Sequence, residues 1–466
     1  MGYATKACWT CKGRKQGCDR NHPSCNNCRR AGRTCQGYGC RLKWNAPHLS
    51  LIGRSPQATH YHFLHTSAAE LAAFYNLPAT LPSPQLQIRR LGLSEEESDL
   101  LFLSHYEAVL SRMITTLDNE TNGFRHVLLP MILSYPVRIP AKALWHGILA
   151  LSAFYLGHSK QALAHKTAAI GLLSRSFEVS DSPSRLIQIA ACMMLCVYEV
   201  FDSSDGNWQL HLAGAKSIAG ELSICRVSSA ESKIVSFLMT WIYYHEVLAA
   251  FSNPTLQCDL PKSGSSILSP QVYHRDRTSI VGLLGCSLEL ADIISTINHY
   301  TYLRSTNTSF DHNMLQPLFH QLQTMHQTIS YPQPCDIDST LVQQTAELYR
   351  LGAMIYLHTE FFSRRKFSWD LHALVESAID LLTEMSHCTS PWPVFLIAVA
   401  SCQDECQRTT VLTVISRMEQ QRKIDNITYI RRLVEQFWKQ RDLAPDHHLI
   451  GWRAMMKGVP FLPSFI

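Results

Sequence analysis

From residue 94 onward, apolar positions recur at helical spacing. Leu100, Leu101, Leu103 and Tyr106 open one such pattern, and Leu144, Ile148, Leu149, Leu151 and Phe154 form another. Apolar side chains three and four positions apart share one face of a helix, which must then be buried. The same spacing predicts helices over 160–176, 184–201, 207–222, 230–251, 277–299, 339–363, 369–386, 393–419 and 426–441. Ser94, with Glu97 three residues on, reads as a capping box that starts the first helix. Ser252-Asn253-Pro254 and Lys262-Ser263-Gly264-Ser265-Ser266 interrupt the pattern. No alternating strand set is visible. The expected fold is a large all-α domain over residues 94–455, with a tail over 456–466. The stretch from about 300 to 340 carries no assignment.

Before residue 94 the pattern fades. Residues 45–93 contain Pro47, Pro56, Pro78, Pro82 and Pro84 and few charges, which reads as a linker with one helical patch over 67–76. No apolar heptads are sustained there, so a coiled coil is not expected.

Composition sharpens this division. Of the 466 residues, 46% are hydrophobic and 17% charged, enough to bury a real core. The net charge is +5, but residues 1–45 hold Lys6, Lys12, Arg14, Lys15, Arg20, Arg29, Arg30, Arg33, Arg41 and Lys43 against Asp19 alone. That segment carries +9 and the rest −4, which points to a polyanionic partner for the N-terminal arm. Residues 1–10 lack the apolar core of a signal peptide. No continuous apolar run reaches about 18 residues, and 393–400 is too short. A soluble, intracellular chain with no membrane partner is expected.

Seven of the sixteen cysteines lie in the first 40 residues. Clustering of this kind suits a metal site better than a disulfide scaffold. The sequence runs Cys8-Trp9-Thr10-Cys11 to Cys18, then Cys25-Asn26-Asn27-Cys28 to Cys35, with identical spacing in both halves and an offset of 17. A repeat like this implies two similar substructures about a pseudo-two-fold axis. A Cys-x-x-Cys turn places two sulfurs on one ion, and the third cysteine returns after about two helical turns. Each half then supplies three thiolates, whereas tetrahedral zinc takes four. If one sulfur from each half bridges both ions, six thiolates satisfy two Zn²⁺ ions in a closed, structural site. Metal binding would then supply the folding free energy of a segment with almost no apolar core. Cys40 reads as a spare thiol.

The pattern Cys8, Cys11, Cys18, Cys25, Cys28, Cys35, with Pro23 between the halves, resembles the fungal binuclear zinc-cluster family of DNA-binding domains. The resemblance covers residues 8–35 and implies a zinc-cluster module over 1–44. It implies that Cys8 and Cys25 bridge, that Cys11 and Cys18 complete one metal site, and that Cys28 and Cys35 complete the other. It places Pro23 where the family commonly has a cis-proline turn. It further implies that the helix after Cys11 enters the major groove of double-stranded DNA, with Arg14 and Lys15 contacting a C-G-G half-site. Arginine can donate a bidentate pair to guanine, and lysine can donate as a point charge. Lys12 is a third candidate on the same helix. Arg29, Arg30 and Arg33 read as phosphate clamps that position without specifying. Gly17 departs from the family, which commonly has lysine there; it reads as a left-handed helix terminator.

The region after residue 94 resembles the regulatory domain of fungal-specific transcription factors related to the acriflavine-sensitivity regulators. The stretches that carry this are Leu103-Ser104-His105-Tyr106, Phe124-Arg125-His126-Val127-Leu128-Leu129-Pro130, Leu149-Ala150-Leu151-Ser152-Ala153, and residues 205–215 around Trp208 and His211. Tyr244-His245-Glu246-Val247-Leu248-Ala249, Trp392-Pro393-Val394-Phe395 and Val434-Glu435-Gln436-Phe437-Trp438 follow. With the cluster, the likeness spans most of 6–440. It implies a nuclear regulator of RNA polymerase II genes acting with the transcription machinery, with metabolic, drug-resistance or secondary-metabolite genes as candidate targets.

Catalytic signatures are missing: there is no His-Glu-x-x-His, P-loop, Gly-x-Ser-x-Gly or dinucleotide fingerprint. An enzyme is therefore not expected. Trp208, His211 and Gly214 share a helical face, which reads as packing in preference to a ligand pocket. Cys192, Met193, Met194 and Cys196 read as core. Arg364-Arg365-Lys366 reads as a solvated helix end in preference to an import signal. The rival reading is a zinc-scaffolded protein-interaction module without direct DNA binding; the +9 arm speaks against it. One C-G-G triplet is too short for genomic specificity, and the usual remedy is a dimer reading two half-sites, with a monomer helped by other DNA-bound proteins as the competing reading. Without linker heptads, any dimer is expected to form through the helical domain, residues 94–455.

Overall fold

Two very short helices, α1 (Trp9–Gly13) and α2 (Asn26–Arg30), repeat the 17-residue offset of the cysteines. Isolated helices below about 12 residues are marginal in water, so something other than propensity holds them. The computed structural model describes residues 7–21, 23–36, 97–119, 121–202, 206–222, 231–253, 276–306, 312–330, 338–362, 371–401, 404–443, 451–456 and 462–466. The chain divides into two compact units, within residues 1–79 and 80–466. Ser94, the whole linker with its patch over 67–76, Cys40 and Arg364-Arg365-Lys366 lie outside the described residues.

The second unit is helical, as the periodicity predicts. Its first part holds α3 (Glu97–His105), which continues through a π-turn (Tyr106–Leu110) into Ser111–Met113, then α4 (Gly123–His126), α5 (Leu128–Ser134), α6 (Ile139–Tyr155), α7 (Ser159–Ser176), α8 (Ser182–Phe201), α9 (Trp208–Gly220) and α10 (Ser232–Ser252). After a hairpin, β1 (Ile280–Val281) and β2 (Cys286–Ser287), come α11 (Leu288–Ser305), α12 (Leu315–Thr324), α13 (Ser339–Phe361), α14 (Leu371–Glu384), α15 (Pro391–Ala400), α16 (Glu405–Arg422), α17 (Asp425–Leu443) and α18 (Trp452–Met456).

Local chemistry sets several boundaries. Asp181 caps α8, accepting from the Ser184 amide at 3.1 Å, with Pro183 in the first turn where a missing N–H costs nothing. Ser287 caps α11 and Asp338 caps α13 in the same way. α6 packs on α7 and α8, and α8 on α9. α8 is buried at nearly every position, so it is a central core helix, not an amphipathic surface one. Trp145, Trp241, Phe124 and Phe251 belong to the same core and are shut off from solvent. Cys192, Met193, Met194 and Cys196 are core, as expected.

Two of the expected helices need correction. The helix expected over 277–299 begins only at Leu288, because residues 280–287 form the two-stranded hairpin. Gly285 turns it with φ +74°, and a Cβ there would meet Thr116 at 2.5 Å, so the position requires glycine. The helix expected over 393–419 is two, α15 and α16. Asp404 starts the second by accepting from the amides of Cys406 and Gln407 at 2.8 and 3.0 Å. The unassigned stretch near 300–340 contains the end of α11 and all of α12.

α8 and α10 are long and apolar enough by composition to cross a membrane, but 94% and 72% of their apolar windows are buried within the fold. That burial identifies them as core helices. Residues 462–466, expected as a tail, close the core. The Trp208 indole donates to the Leu462 carbonyl, Ser252 donates to that of Pro463, and the Ser464 amide donates to Asn426. Phe465 is fully buried, 5.0 Å from the ring of Phe251 and 4.7 Å from that of Phe395.

Candidate metal centre and nucleic-acid interface

Each half of the N-terminal unit is built from its first cysteine. Cys8 and Cys25 are the N-caps of α1 and α2, and their sulfurs accept from the amides of Cys11 and Cys28 at 3.4 and 3.3 Å. The third cysteine closes each half: the Cys8 amide donates to Cys18 Sγ at 3.4 Å, and the Cys25 amide to Cys35 Sγ at 3.5 Å. Amide donors aimed at a sulfur stabilise its charged, metal-binding form.

The path to the third cysteine differs from expectation. It is not two helical turns. Each helix ends after five residues in a left-handed turn, at Lys15 (φ +52°) in the first half and Gly32 (φ +61°) in the second. The Gln16 amide then donates to the Cys11 carbonyl at 3.1 Å, and that of Arg33 to the Cys28 carbonyl at 2.9 Å. Lys15, not Gly17, is thus the left-handed residue.

The halves clasp each other symmetrically. Thr10 Oγ1 donates to the Thr34 carbonyl at 3.1 Å, and Asn27 Nδ2 donates to the Gly17 carbonyl at 2.7 Å. Donors and acceptors both obey the 17-residue offset. Sequence reasoning passed over Thr10 and Asn27, although the repeat places them at equivalent positions. It also passed over Asp19, whose carboxylate accepts from the amides of Asn26 and Asn27 at 2.9 and 3.4 Å. Desolvation raises the Asp19 carboxyl, but those amides outweigh it and hold it below its usual range.

Six sulfurs converge. Cys8 Sγ lies 3.5 Å from Cys25 Sγ and 3.8 Å from Cys28 Sγ; Cys11 Sγ lies 3.6 Å from Cys25 Sγ and 3.8 Å from Cys28 Sγ. Two sets of four sulfurs form, Cys8, Cys11, Cys18, Cys25 and Cys8, Cys25, Cys28, Cys35, each set within 4.8 Å. Cys8 and Cys25 belong to both. A zinc–sulfur bond of about 2.3 Å gives a tetrahedral edge of about 3.8 Å, so the close separations fit the ion. Burial pushes the Cys8, Cys11 and Cys25 thiols up, which keeps protons on them in the absence of a cation. A coordinated cation reverses that, because a coordinating thiol is deprotonated outright.

Around this core the basic side chains face outward. Lys12, Arg14, Lys15, Arg29, Arg30 and Arg33 are all exposed. Lys12 Nζ lies 4.7 Å over the Trp9 ring, a cation–π contact that partly occupies it. Arg29 and Arg30 sit in the last turn of α2, and Arg33 follows its turn.

In the helical unit, Trp208 is buried and His211 Nε2 lies 3.7 Å from Glu199 Oε1, on the Lys166–Glu199 pair. A Cβ at Gly214 would sit 3.7 Å from Cys192 Sγ. This face packs on α8. A cavity of about 800 Å³ has Phe124 and Phe237 in its lining, and not Trp208, His211 or Gly214.

A family profile described as the fungal Zn(2)-Cys(6) binuclear cluster domain matches residues 6–45, and one described as the fungal specific transcription factor domain matches residues 101–462. The chain is 26% identical over 376 residues to "Transcription factor iacI" of Pestalotiopsis fici, covering 78% of this chain and 93% of that protein. It is 30% identical over 90 residues to "Acriflavine sensitivity control protein acr-2" of Neurospora crassa, covering 19% of this chain and 15% of the other. Over 40 residues it is 48% identical to "Arginine metabolism regulation protein II" of Saccharomyces cerevisiae, covering 9% of this chain and 4% of the other. No solved structure matches.

Proposed function

The chain belongs to the fungal-specific transcription factors and carries their Zn(2)-Cys(6) DNA-binding cluster, and from that premise we propose that it reads C-G-G half-sites in the nucleus through a two-zinc module. It is a zinc-binding, DNA-binding regulator of transcription. In our reading Cys8 and Cys25 bridge both Zn²⁺ ions, Cys11 and Cys18 complete one, and Cys28 and Cys35 complete the other. The observation that carries this is the presence of Cys8 and Cys25 in both four-sulfur sets.

Bound zinc supplies the cross-link that a module this small lacks, and its positive charge holds six thiolates together. The protein supplies geometry. The clasp fixes α1 against α2, and Arg14 and Lys15 extend from the end of α1. Arg14 donates to guanine, Lys15 adds a point charge, and Lys12, Arg29, Arg30 and Arg33 neutralise phosphates. The role is regulatory, not catalytic. Residues 1–44 form the DNA-binding module, 45–93 the linker and 94–455 the body of the regulatory domain. Two copies joined through that domain read two half-sites and engage the transcription machinery. The target genes are metabolic, drug-resistance or secondary-metabolite genes.

Gel-shift of the full chain on a C-G-G duplex and on a scrambled duplex, with and without a zinc chelator, tests this. The reading expects a salt-dependent shift preferring C-G-G and abolished by chelator. A chain that retains zinc yet shifts neither duplex would be a protein-interaction module instead.

A further inference from the structure

α7 carries an apolar stripe that nothing described covers. Leu163, Ile170 and Phe177 recur every seven residues and are 62%, 43% and 54% exposed. Seven residues are nearly two helical turns, so the three lie in one row about 21 Å long. Thr167 and Ser174, also exposed, fill the intervening heptad positions with small side chains. Small residues there permit close approach of a second helix. A row of apolar side chains of this extent marks an interaction surface.

We infer that this face is the surface through which two copies of the chain pair, α7 against α7 in antiparallel fashion about a two-fold axis at Ile170. The inference rests on the reading of a dimer through the helical domain and names its interface. The sequence of the stripe is self-complementary under that operation. Ile170 meets its own copy, and Leu163 of one chain meets Phe177 of the other, as an isologous interface requires. The charges agree. Lys160, one turn before Leu163, comes to lie near Glu178 of the other copy, and neither has an ion-pair partner among the described residues. A parallel pairing would instead set Lys160 against Lys160. One helix pair falls below the roughly 1,200 Å² of a stable standard interface. The dimer is therefore weak in solution and is consolidated when both zinc modules engage one duplex.

Light scattering over a concentration series of the full, zinc-loaded chain tests this, with circular dichroism confirming the fold of each variant. The wild type should dimerise, and Ile170→Glu should weaken dimerisation at least tenfold. On DNA, Ile170→Glu should leave single-half-site affinity unchanged and lower paired-half-site affinity. Lys160→Glu should weaken the dimer, and adding Glu178→Lys should restore it. Oxidised Ile170→Cys should give a covalent dimer, whereas Leu443→Cys, more exposed at the end of α17, should not. If the wild type dimerises and Ile170→Glu dimerises equally well, another surface pairs the chains and this stripe meets a different partner; the inference falls and the dimer reading stands. If the wild type stays monomeric at every concentration and on a two-site duplex, the dimer reading falls and takes the inference with it.

Discussion

Lys15 holds a backbone conformation that the second half of the module gives to glycine. Its φ is +52°, against +61° at Gly32, its equivalent 17 positions on. A non-glycine residue there costs about 1–2 kcal/mol. The side chain is exposed, so packing of its own does not recover that cost. The strain is explained if the lysine acts on DNA. Lys15→Gly should therefore raise the thermal stability of the zinc-loaded module, by up to about 1 kcal/mol, while lowering affinity for C-G-G DNA. If the variant gains stability and keeps full affinity, Lys15 has no role in binding. The same scale separates readout from anchoring. Arg14→Ala should cost about 1–3 kcal/mol on C-G-G and less on scrambled DNA. Arg33→Ala should weaken both alike and flatten the salt slope. Titration of both duplexes at several salt concentrations distinguishes the two. The cysteine spacing was legible in the sequence because it repeats, and the basic side chains because they crowd one short segment. Asp19 was not, because its task is local capping by a residue that breaks the repeat.

At the level of elements, burial sets the behaviour of the histidines on the core helices. His245 on α10 is buried, and its pKa is pushed down to about 3, burial outweighing the contact of Nδ1 with the Trp241 carbonyl at 3.1 Å. His146 on α6 is pushed down to about 4 by burial and by His165, whose Nδ1 is 2.9 Å from its own; Asp99 acts in the other direction. An unfolded histidine titrates near 6.5. Between that value and about 4 the unfolded chain binds protons that the folded chain refuses, so stability falls as pH falls. The slope is about 1.4 kcal/mol per pH unit for each such histidine. Melting curves of the full chain from pH 7.5 to 5 should show a steady loss of Tm, and His245→Leu should flatten it. A pH-independent Tm in the wild type would mean that these rings accept protons in the folded state. Most helices were legible because their apolar faces are periodic. The breaks at Gly285 and Asp404 were not, because a turn between apolar runs looks like more of the same face until the cap and the positive φ are seen.

Across the whole molecule, two kinds of stabilisation divide the chain. The helical unit rests on a large apolar core closed by its own C-terminal residues. Phe465, buried among Phe251 and Phe395, should cost about 3–5 kcal/mol when changed to alanine. Denaturant unfolding of Phe465→Ala checks this, and an unchanged midpoint would show that the C-terminal residues contribute nothing. Such long-range closure is invisible to local periodicity, which reads residues 456–466 as a tail. The zinc unit has no such core. Among the described residues its halves are joined by the cysteines and by a few hydrogen bonds from Thr10, Asp19 and Asn27, so on the proposed reading fold and function depend on metal together. Counting the metal is therefore the most direct measurement. Native mass spectrometry of the full chain should report two Zn²⁺ ions, falling to one in Cys11→Ala and to none in Cys8→Ala, where a shared sulfur is lost. One ion, or none, on a wild-type chain that still prefers C-G-G DNA would contradict the shared-thiolate cluster.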